Sequence, residues 1–558
     1  MTPQAADTTL TVSGRVAEVL GEHVTDVFGV MGNGNVHFLD AAEKAGLRFT
    51  PVRHEGAAIA AADAYYRASG RLAAGTTTYG PGYTNALTAL AEAVQAQIPV
   101  VLVTGDAPSD GARPWDVDQT AIATGLGAVT FTVTRQAAGS ITQAAVDYAL
   151  THRTAVVLAI PYDLAALEAA EEQLTPRAAA AAGIDDDAAL ARVADLLAAA
   201  RRPLILAGRG AHLAGAGEAL QSLADRLGAL TAGTALAFNL LQGEGHLGVA
   251  GGFGTEDKAA LMHDADVVLV VGASLSPFTL RFGHLFGPGA TVIQIDSAKE
   301  PTNPRVDLFV QADAKAAVQS LMRLLGSASA PASWRAEAGP VLSVAAAHHE
   351  GSAETADGRL DPRLLASALD SILPQRRTVV QDGGHFVGWA PMYWRIPRPQ
   401  DLVMVGTAYQ AIGLGLASAV GAARAVDEGA TLVLASGDGG FLMGLSDLES
   451  LVGAATSAIV VIYNDAAYGA EIHQYASQGL TDKPMLIPEV DFSGIARALG
   501  AESAVVRTLD DLSALRDWIA AGAKGTFVAD CRITSSVRAP WMSEWMRATG
   551  KAQAAVAN

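Results

Sequence analysis

The sequence is poor in cysteine, in aromatic residues and in charge. A single cysteine, Cys531, occurs among 558 residues, so this chain alone can build neither a disulfide framework nor a thiolate metal site. Charged residues make up 17% of the chain and aromatic residues 6%, whereas half of all residues are hydrophobic. That balance excludes a disordered, highly charged protein and predicts large buried cores.

An excess of basic residues and long apolar runs are also missing. The 38 Lys and Arg are outnumbered by 57 Asp and Glu, which gives a formal net charge of −19. A spread-out negative charge argues against nucleic acid or an anionic membrane as partner. No apolar run reaches the ~18 residues of a membrane span, and the first 20 residues lack the pattern of a signal peptide. We therefore expect a cytoplasmic protein with no membrane and no nucleic-acid partner.

The length predicts about three domains. Strand-like and helix-like patterns alternate in three blocks, at residues 1–170, 187–326 and 360–535, and a C-terminal tail follows at 536–558. Short apolar runs such as "IPVVLVTG", "ADVVLVVGA" and "SAIVVIYND" are typical of parallel strands buried on both faces. We predict an α/β fold of three doubly wound domains with mostly parallel sheets. The blocks share a rhythm but no obvious sequence repeat, so a duplicated architecture stays open.

Two acidic residues follow two strands of the third block. Asp438 stands after "TLVLAS", and Asp465 stands after "AIVVIY". Because the carboxyl ends of neighbouring parallel strands meet at one edge, we expect the two carboxylates to lie close together. Such a pair needs a cation, and a hard divalent ion such as Mg²⁺ or Ca²⁺ suits oxygen ligands. The flanking glycines, whose backbone amides could hold a phosphate, are Gly437, Gly439 and Gly440.

A lone Gly-Asp-Gly is most often an ordinary turn, but the compound pattern is more specific. A strand, Gly-Asp-Gly, 24 residues and then Asn-Asp at a second strand end resembles the diphosphate-binding motif of thiamine-diphosphate-dependent enzymes. Nearly the whole chain is similar to acetolactate synthase and its 2-oxo acid decarboxylase and lyase relatives. The resemblance implies a pyrimidine-binding domain at 1–170, a central domain at 187–326 and a diphosphate-binding domain at 360–535.

The resemblance implies catalytic residues in the first block. Glu55, in "PVRHEGAAIAAADAYYRASG", would face the aminopyrimidine of the cofactor from a pocket of low dielectric. Gly80 and Gly82, in "TYGPGYTNAL", would pack near the same ring. Gln119, in "DVDQTAI", matches an active-site glutamine, and Asn33, in "GVMGNGNVHFLD", matches a position that faces the substrate. The structural alternatives are a first-turn glutamate for Glu55 and a turn residue for Asn33.

In the third block the resemblance implies contacts to the rest of the cofactor. Gly384 and His385, in "QDGGHFVGW", would contact the diphosphate, and Ile412, in "MVGTAYQAIGLGLASAVGAA", would bend the cofactor. Six oxygen ligands would surround Mg²⁺, of which two come from the diphosphate and one from water. The family more often has Asn in place of the second acid. The implied protein ligands are the side chains of Asp438 and Asp465 and the backbone carbonyl of Ala467.

Two departures from acetolactate synthases bear on cofactor and substrate. In "VVGASLSPFTLRFG", Ser274 and Phe278 stand where those enzymes have arginines for FAD, and Arg281 is out of register. This makes FAD a doubtful cofactor. Gln474, in "GAEIHQY", replaces an acceptor-side tryptophan, which puts a role in branched-chain biosynthesis in doubt.

The predicted function is the formation or cleavage of a C–C bond in a 2-oxo acid, with an aldehyde or ketone as possible acceptor. The alternatives are a 2-hydroxyacyl-CoA or acyloin lyase on the same scaffold, a nucleotide-binding oxidoreductase, and a non-catalytic scaffold. Gly208 and Gly210 suggest a dinucleotide fingerprint, but Leu213 leaves it incomplete. In the family the pyrimidine domain of one subunit faces the diphosphate domain of another, which implies a homodimer or homotetramer.

Overall fold

The computed structural model describes residues 10–174, 187–326, 333–343 and 348–556. The first nine residues, parts of the two segments between the predicted domains and the end of the predicted tail lie outside the described residues. Three sheets of six parallel strands are present, so the predicted α/β fold is confirmed. Within the described ranges, none of the helices is both long and apolar enough to cross a bilayer.

The first domain is built on a sheet with parallel strands and helices on both faces. Its strands are β1 (Asp26–Gly29), β2 (Arg48–Pro51), β3 (Ala74–Thr77), β4 (Val100–Asp106), β5 (Val129–Thr132) and β6 (Ala155–Pro161). Its helices are α1 (Val12–Gly21), α2 (Val36–Lys44), α3 (Glu55–Ser69), α4 (Pro81–Asn85), α5 (Leu87–Gln95), α6 (Gln119–Gly125) and α7 (Ala138–His152). The strand order is β2-β1-β3-β4-β6-β5.

The central domain has a separate sheet and two hydrophobic cores of its own. Its helices are α8 (Asp187–Ala199), α9 (Arg209–Leu213), α10 (Gly217–Leu227), α11 (Glu256–His263), α12 (Ala314–Leu324) and α13 (Ser333–Leu342). Its strands are β7 (Pro203–Ala207), β8 (Leu230–Gly233), β9 (His246–Val249), β10 (Val267–Val271), β11 (Thr291–Asp296) and β12 (Leu308–Gln311). The order is β12-β11-β10-β7-β8-β9.

The third domain carries the two acids of interest. Its strands are β13 (Arg377–Gln381), β14 (Leu402–Met404), β15 (Thr431–Gly437), β16 (Ser457–Asn464), β17 (Glu502–Val506) and β18 (Gly525–Arg532). Its helices are α14 (Pro362–Ile372), α15 (Trp389–Tyr393), α16 (Gly415–Ala425), α17 (Asp438–Met443), α18 (Leu448–Ala454), α19 (Gly469–Tyr475), α20 (Phe492–Ala498) and α21 (Ser513–Ala520), and α22 (Pro540–Val556) follows. The order is β14-β13-β15-β16-β18-β17.

The first and third domains have the same topology. When the strands of each sheet are counted from one to six, both sheets run 2-1-3-4-6-5, whereas the central sheet runs 3-2-1-4-5-6. The duplicated architecture that the sequence left open is therefore present in strand order. In such sheets, ligands bind outside the carboxyl ends of the strands. A ligand site is therefore expected in the loops that follow the strands.

Helices α3 and α16 join the first domain to the third through one continuous hydrophobic core. Alanines on α3 allow the close approach, and the Gly421 backbone packs directly on Ala61. The helices run antiparallel. At one end Arg424 Nε donates to Thr50 Oγ1 at 3.1 Å, and at the other the Tyr409 N–H donates to Glu92 Oε2 at 2.7 Å. The beginning of α3 therefore lies beside the end of α16.

Candidate active site

Glu55 is the first residue of α3 and is half-buried. The helix begins here because His54 caps it, with Nδ1 accepting from the Gly56 N–H at 3.1 Å. The Glu55 carboxylate accepts from Asn85 Nδ2 at 2.9 Å. A Cβ on Gly82 would lie 3.3 Å from Glu55 Oε1. The predicted pair of Glu55 and Gly82 is thus in contact, and sequence reasoning missed Asn85, which holds the carboxylate in place.

Gln119 begins α6 and is only 4% exposed. Its Oε1 accepts from the Gly80 N–H at 2.8 Å, and its Nε2 donates to the Gly105 carbonyl at 2.9 Å. Its own carbonyl accepts from the Tyr83 hydroxyl at 3.1 Å. Gly80 has φ +60, a backbone conformation that glycine adopts without strain. The Gln119 amide therefore fixes the turn that carries Gly80 and Gly82.

Asn33 lies in the loop after β1, at the same edge of the sheet. Its Nδ2 donates to the Tyr79 hydroxyl at 2.9 Å, and the next residue, Gly34, donates its N–H to Thr78 Oγ1 at 2.8 Å. A Cβ on Gly82 would meet Thr78 Cγ2 at 2.7 Å. The structure thus gathers the five residues predicted in the first block around the Thr78–Gly82 turn. These residues are Asn33, Glu55, Gly80, Gly82 and Gln119.

The acids of the third domain lie at the carboxyl ends of two neighbouring strands. Asp438 begins α17 after β15, and Asp465 follows β16, which pairs with β15. Burial raises the pKa of Asp438 to about 6. Burial, and then repulsion from Asp438, raise the pKa of Asp465 to about 7. The two carboxylates are therefore close enough to oppose each other's ionisation.

A cation fits between these acids. Asp438 is 3% exposed, and its Oδ2 is buried with no hydrogen-bond partner among the described residues, an arrangement that is costly unless a cation compensates it. The backbone amide of Ala467 lowers the pKa of both carboxylates, so it lies beside the pair. In the described part of the chain no three His, Cys, Asp or Glu side chains form a metal-binding group. A bound ion would therefore need backbone or cofactor oxygens as well, which suits Mg²⁺.

Asp382, which sequence reasoning missed, ties three loops of this edge together. Its buried carboxylate accepts from the Gly383 N–H at 2.8 Å, the Gly413 N–H at 2.9 Å and Ser436 Oγ at 3.2 Å. Burial raises its pKa to about 6. Its place directly after β13 was the available signal, because it repeats the pattern of an acid at a strand end.

The glycines around Asp438 are required by the protein's own packing. A Cβ on Gly440 would lie 2.5 Å from Asp382 Oδ2, and one on Gly439 would lie 2.7 Å from the Tyr468 ring. A Cβ on Gly437 would lie 3.0 Å from the ring of Phe386. The close approach of other parts of the chain explains these three glycines without a ligand, so their contact with a phosphate stays a prediction.

His385 lies next to the acid pair and is buried. Its Nε2 accepts from the Ala539 N–H at 2.8 Å, so in the neutral ring Nδ1 carries the proton. Burial and the His473 ring, whose centroid lies 4.5 Å away, lower the pKa of His385 to about 3. A Cβ on Gly469 would lie 3.6 Å from His385 Nδ1 and 2.6 Å from Asp465 Oδ2. His385 is therefore a neutral donor, and in space a single residue, Gly469, lies between it and Asp465.

A crevice of about 1030 Å³ extends from this edge to the central domain. Gly384, which has φ +140, and Ile412, which is 38% exposed, line its third-domain end together with Gln474. Ser274 and Phe278 line the central-domain end. The structure thus places Gly384 and Ile412 in one cavity, and their contact with a cofactor stays a prediction.

Two features of the central domain bear on the nucleotide alternatives. A Cβ on Gly210 would lie 2.8 Å from Gly272 Cα, so the close approach of the ends of β7 and β10 requires a glycine here. Arg281, the arginine near the FAD segment, forms an ion pair with Glu544 of α22. Neither feature needs a bound nucleotide to explain it.

Several known proteins are similar over most of the chain. A sulfoacetaldehyde acetyltransferase of Alcaligenes xylosoxydans xylosoxydans is 27% identical over 543 residues, covering 88% of this chain and 87% of that protein. The acetolactate synthase isozyme 2 large subunit of Escherichia coli K12 is 27% identical over 524 residues, covering 88% and 90%. A solved structure, the thiamine diphosphate-dependent 4-hydroxybenzoylformate decarboxylase of Rhodococcus jostii RHA1, shares the fold with a TM-score of 0.77, 20% identity and coverage of 94% and 99%.

Family models of the thiamine pyrophosphate enzymes match all three domains. Residues 10–126 match the N-terminal TPP binding domain, residues 190–321 the central domain and residues 382–531 the C-terminal TPP binding domain. Together these ranges contain Glu55 of the first domain and Asp438 of the third. On this evidence, the chain belongs to the thiamine pyrophosphate enzyme family.

Proposed function

We propose that this enzyme forms or cleaves a C–C bond of a 2-oxo acid, with thiamine diphosphate and Mg²⁺ as cofactors. The observation that carries the proposal is the Asp438–Asp465 pair, in which a buried carboxylate oxygen has no hydrogen-bond partner in the part of the chain that the structure describes. Its sequence relatives, an acetolactate synthase and a sulfoacetaldehyde acetyltransferase, and a structural neighbour, a 4-hydroxybenzoylformate decarboxylase, support this reaction class.

The third domain would hold the charged end of the cofactor. Asp438, Asp465 and the Ala467 carbonyl would bind Mg²⁺, which in turn neutralises the diphosphate. His385 would donate from Nδ1 to a diphosphate oxygen, because its other nitrogen already accepts from the backbone. Backbone amides in the turn after β15 would add further donors, and they belong to Gly437, Gly439 and Gly440.

The first domain would act at the other end of the cofactor. When bound, thiamine diphosphate supplies a carbon nucleophile for the substrate carbonyl. Glu55 would hold and exchange a proton at the aminopyrimidine ring, and Asn85 would keep its carboxylate in position. Gln119 would keep the Gly80 turn in the shape that receives the ring. Ile412 would support the cofactor from the third domain.

A complete site would need two copies of the chain. Glu55 lies five residues after Thr50, which accepts a hydrogen bond from Arg424 in the last turn of α16, whereas Asp382 accepts from the Gly413 N–H just before α16 begins. The 11 residues of α16 span roughly 16 Å. Exposed apolar side chains at both edges, among them Trp115 at 64% and Met443 at 56%, support contact with a second copy. We therefore propose a homodimer or homotetramer.

The enzyme should turn over small 2-oxo acids, alone or with an aldehyde or ketone acceptor. We would incubate it with thiamine diphosphate, Mg²⁺ and a panel of these compounds, and measure CO₂ release and ketol formation. Turnover that requires both cofactors supports the proposal. Cleavage of 2-hydroxyacyl-CoA or an acyloin, without turnover of any 2-oxo acid, would favour the lyase alternative. A cytoplasmic location stays a prediction from the sequence.

A further inference from the structure

Asn33 and Tyr79 form a solvent-accessible polar pair at the carboxyl edge of the first sheet. Asn33 is exposed and Tyr79 is half-buried, and the Asn33 Nδ2 donates to the Tyr79 hydroxyl oxygen at 2.9 Å. This hydrogen bond leaves two hydrogens without an acceptor in the described part of the chain, namely the hydroxyl hydrogen of Tyr79 and the second amide hydrogen of Asn33. With the amide placed as in the structure, each residue of the pair therefore keeps one hydrogen to donate.

The pair lies at the Thr78–Gly82 turn, which touches Glu55. Thr78 accepts from the Gly34 N–H on one side and packs against Gly82 on the other, and Gly82 in turn touches the Glu55 carboxylate. Tyr79 directly precedes the Gly80 turn that Gln119 fixes. Donors at this place would lie beside the reacting end of a cofactor that Glu55 engages, not beside its diphosphate.

A cation supports the Tyr79 ring. The Arg113 guanidinium carbon lies 4.2 Å from the ring centroid of Tyr79, and it also lies near the rings of Trp115 and Tyr162 at 5.5 and 4.9 Å. Two hydrogen bonds to Asp116, at 2.9 and 2.8 Å, fix its orientation. The ring is thereby held still and the surroundings of its hydroxyl are biased towards an anionic ligand.

We propose that Tyr79 and Asn33 bind the carboxylate of the 2-oxo acid through these two hydrogens, with Arg113 as a positioning residue behind Tyr79. This inference rests on the proposed function, since it names the group that recognises the substrate of the same site. An exposed pair of neutral donors backed by a fixed cation suits a carboxylate, which accepts two hydrogen bonds side by side.

The test uses acylphosphonates, which carry a phosphonate where a 2-oxo acid carries its carboxylate. Their binding to the protein loaded with thiamine diphosphate and Mg²⁺ is measured by calorimetry, so no turnover is needed. We expect Tyr79→Phe to weaken binding about 10-fold or more, because one hydrogen bond to a charged group is lost. The affinity for thiamine diphosphate should stay within about 3-fold of the wild type, since the donors face the substrate.

Tyr162→Phe is the matched control. It removes the same atom from a ring that packs edge-on against Tyr79, with centroids 5.8 Å apart, and it should leave acylphosphonate binding unchanged. Equal weakening by both variants would overturn the inference in favour of a packing role. Normal binding by Tyr79→Phe would overturn it while leaving the proposed function intact. Failure of the loaded wild type to bind any acylphosphonate would remove both the inference and the 2-oxo acid proposal.

Arg113 is tested by its coupling to Tyr79. Arg113→Met should weaken acylphosphonate binding in the wild-type background but add little in the Tyr79→Phe background, because a positioning residue acts through the group it positions. The guanidinium itself would be the ligand if the two effects added fully, and this result would contradict the assigned role.

Discussion

The first and third domains share one strand order but differ in how far the polar groups at the carboxyl ends of their strands are satisfied. In the first domain the polar groups are mostly satisfied within the chain: Asn85 holds Glu55, and the Gln119 amide uses both its ends. In the third domain two acids repel each other, and the buried Asp438 Oδ2 has no hydrogen-bond partner within the described ranges. The first edge leaves few of its described polar groups without partners, whereas the third carries a buried carboxylate that a cation would compensate.

This difference shows where function is encoded in a duplicated fold. The sheets position the loops, but the side chains after each strand decide what the edge can do. One edge offers a single carboxyl group and neutral donors, which suit proton transfer and orientation. The other offers clustered carboxylates and backbone amides, which suit an ion and a diphosphate. We expect mutations at the first edge to affect turnover and mutations at the third edge to affect cofactor affinity.

Glu55→Gln should produce the largest effect. Loss of the proton-sharing carboxyl should lower turnover of 2-oxo acids about 100-fold or more, while the affinity for thiamine diphosphate changes by less than about 3-fold because Gln keeps the contact with Asn85. Steady-state kinetics and a calorimetric titration would measure the two quantities. Glu43→Gln, an exposed position on α2, is the control. Unchanged turnover in Glu55→Gln would break the assigned division of roles.

Asp438→Ala should reverse that pattern. Without one of two metal-binding carboxylates, the affinity for thiamine diphosphate in the presence of Mg²⁺ should fall at least about 100-fold. The free energy of unfolding of the metal-free protein should not fall, because the repulsion with Asp465 is removed. Asp491→Asn, at an exposed helix cap of the same domain, should alter neither quantity. Cofactor affinity equal to that of the wild type would exclude Asp438 as a ligand.

Asp382→Asn should act on the shape of the third edge. An amide cannot accept all the hydrogen bonds that reach the buried carboxylate from Gly383, Gly413 and Ser436. We expect the free energy of unfolding to fall by about 1–3 kcal/mol, with a secondary loss of cofactor affinity. Chemical denaturation with and without cofactor would measure both. An equally stable variant would show that the three loops do not depend on this acid.

The third edge should also give the metal-free protein a pH-dependent stability. Asp438 and Asp465 have pKa values raised from 3.8 to about 6 and 7, so the folded state binds more protons than the unfolded state between pH 4 and 7. Each group then lowers the free energy of unfolding as the pH rises, by up to about 1.4 kcal/mol per pH unit. Below about pH 4 both states are protonated and the effect disappears.

Asp465→Asn separates this effect from the titration of other groups such as Asp382 and His385. The variant should lose less stability than the wild type between pH 5 and 7 in EDTA, as measured by urea denaturation. Saturating Mg²⁺ and thiamine diphosphate should reduce the difference, since bound metal replaces the protons. Identical pH profiles in EDTA would show that the pKa of Asp465 is not raised in the folded protein.

Most of the buried strands could be predicted from the sequence, but five of the six edge strands could not. Continuous apolar runs such as those of β4, β10 and β16 are recognisable because both faces are covered. The strands β2, β5, β9, β12 and β17 are short, lie at sheet edges and are only partly buried. They carry no such run, and their pairing depends on the strand already in place beside them.

At the candidate site the acids at strand ends were predictable, and their partners were not. Asp438 and Asp465 follow apolar runs in the sequence, so their convergence follows from parallel pairing. Asp382 and Tyr79 act through residues 30 or more positions away, Gly413 and Asn33. Only tertiary structure reveals such contacts, which explains why single positions near a recognisable motif went unnoticed.

The most direct test of the two-chain site is complementation between inactive variants. Glu55→Gln and Asp438→Ala chains should each be nearly inactive alone. When they are co-expressed, each mixed dimer should contain one site with an intact Glu55 from one chain and an intact Asp438 from the other. Random pairing should restore about a quarter of wild-type turnover of the 2-oxo acid. No recovery, with mixed dimers demonstrated by differential tagging, would mean that both residues act within one chain and would contradict the account.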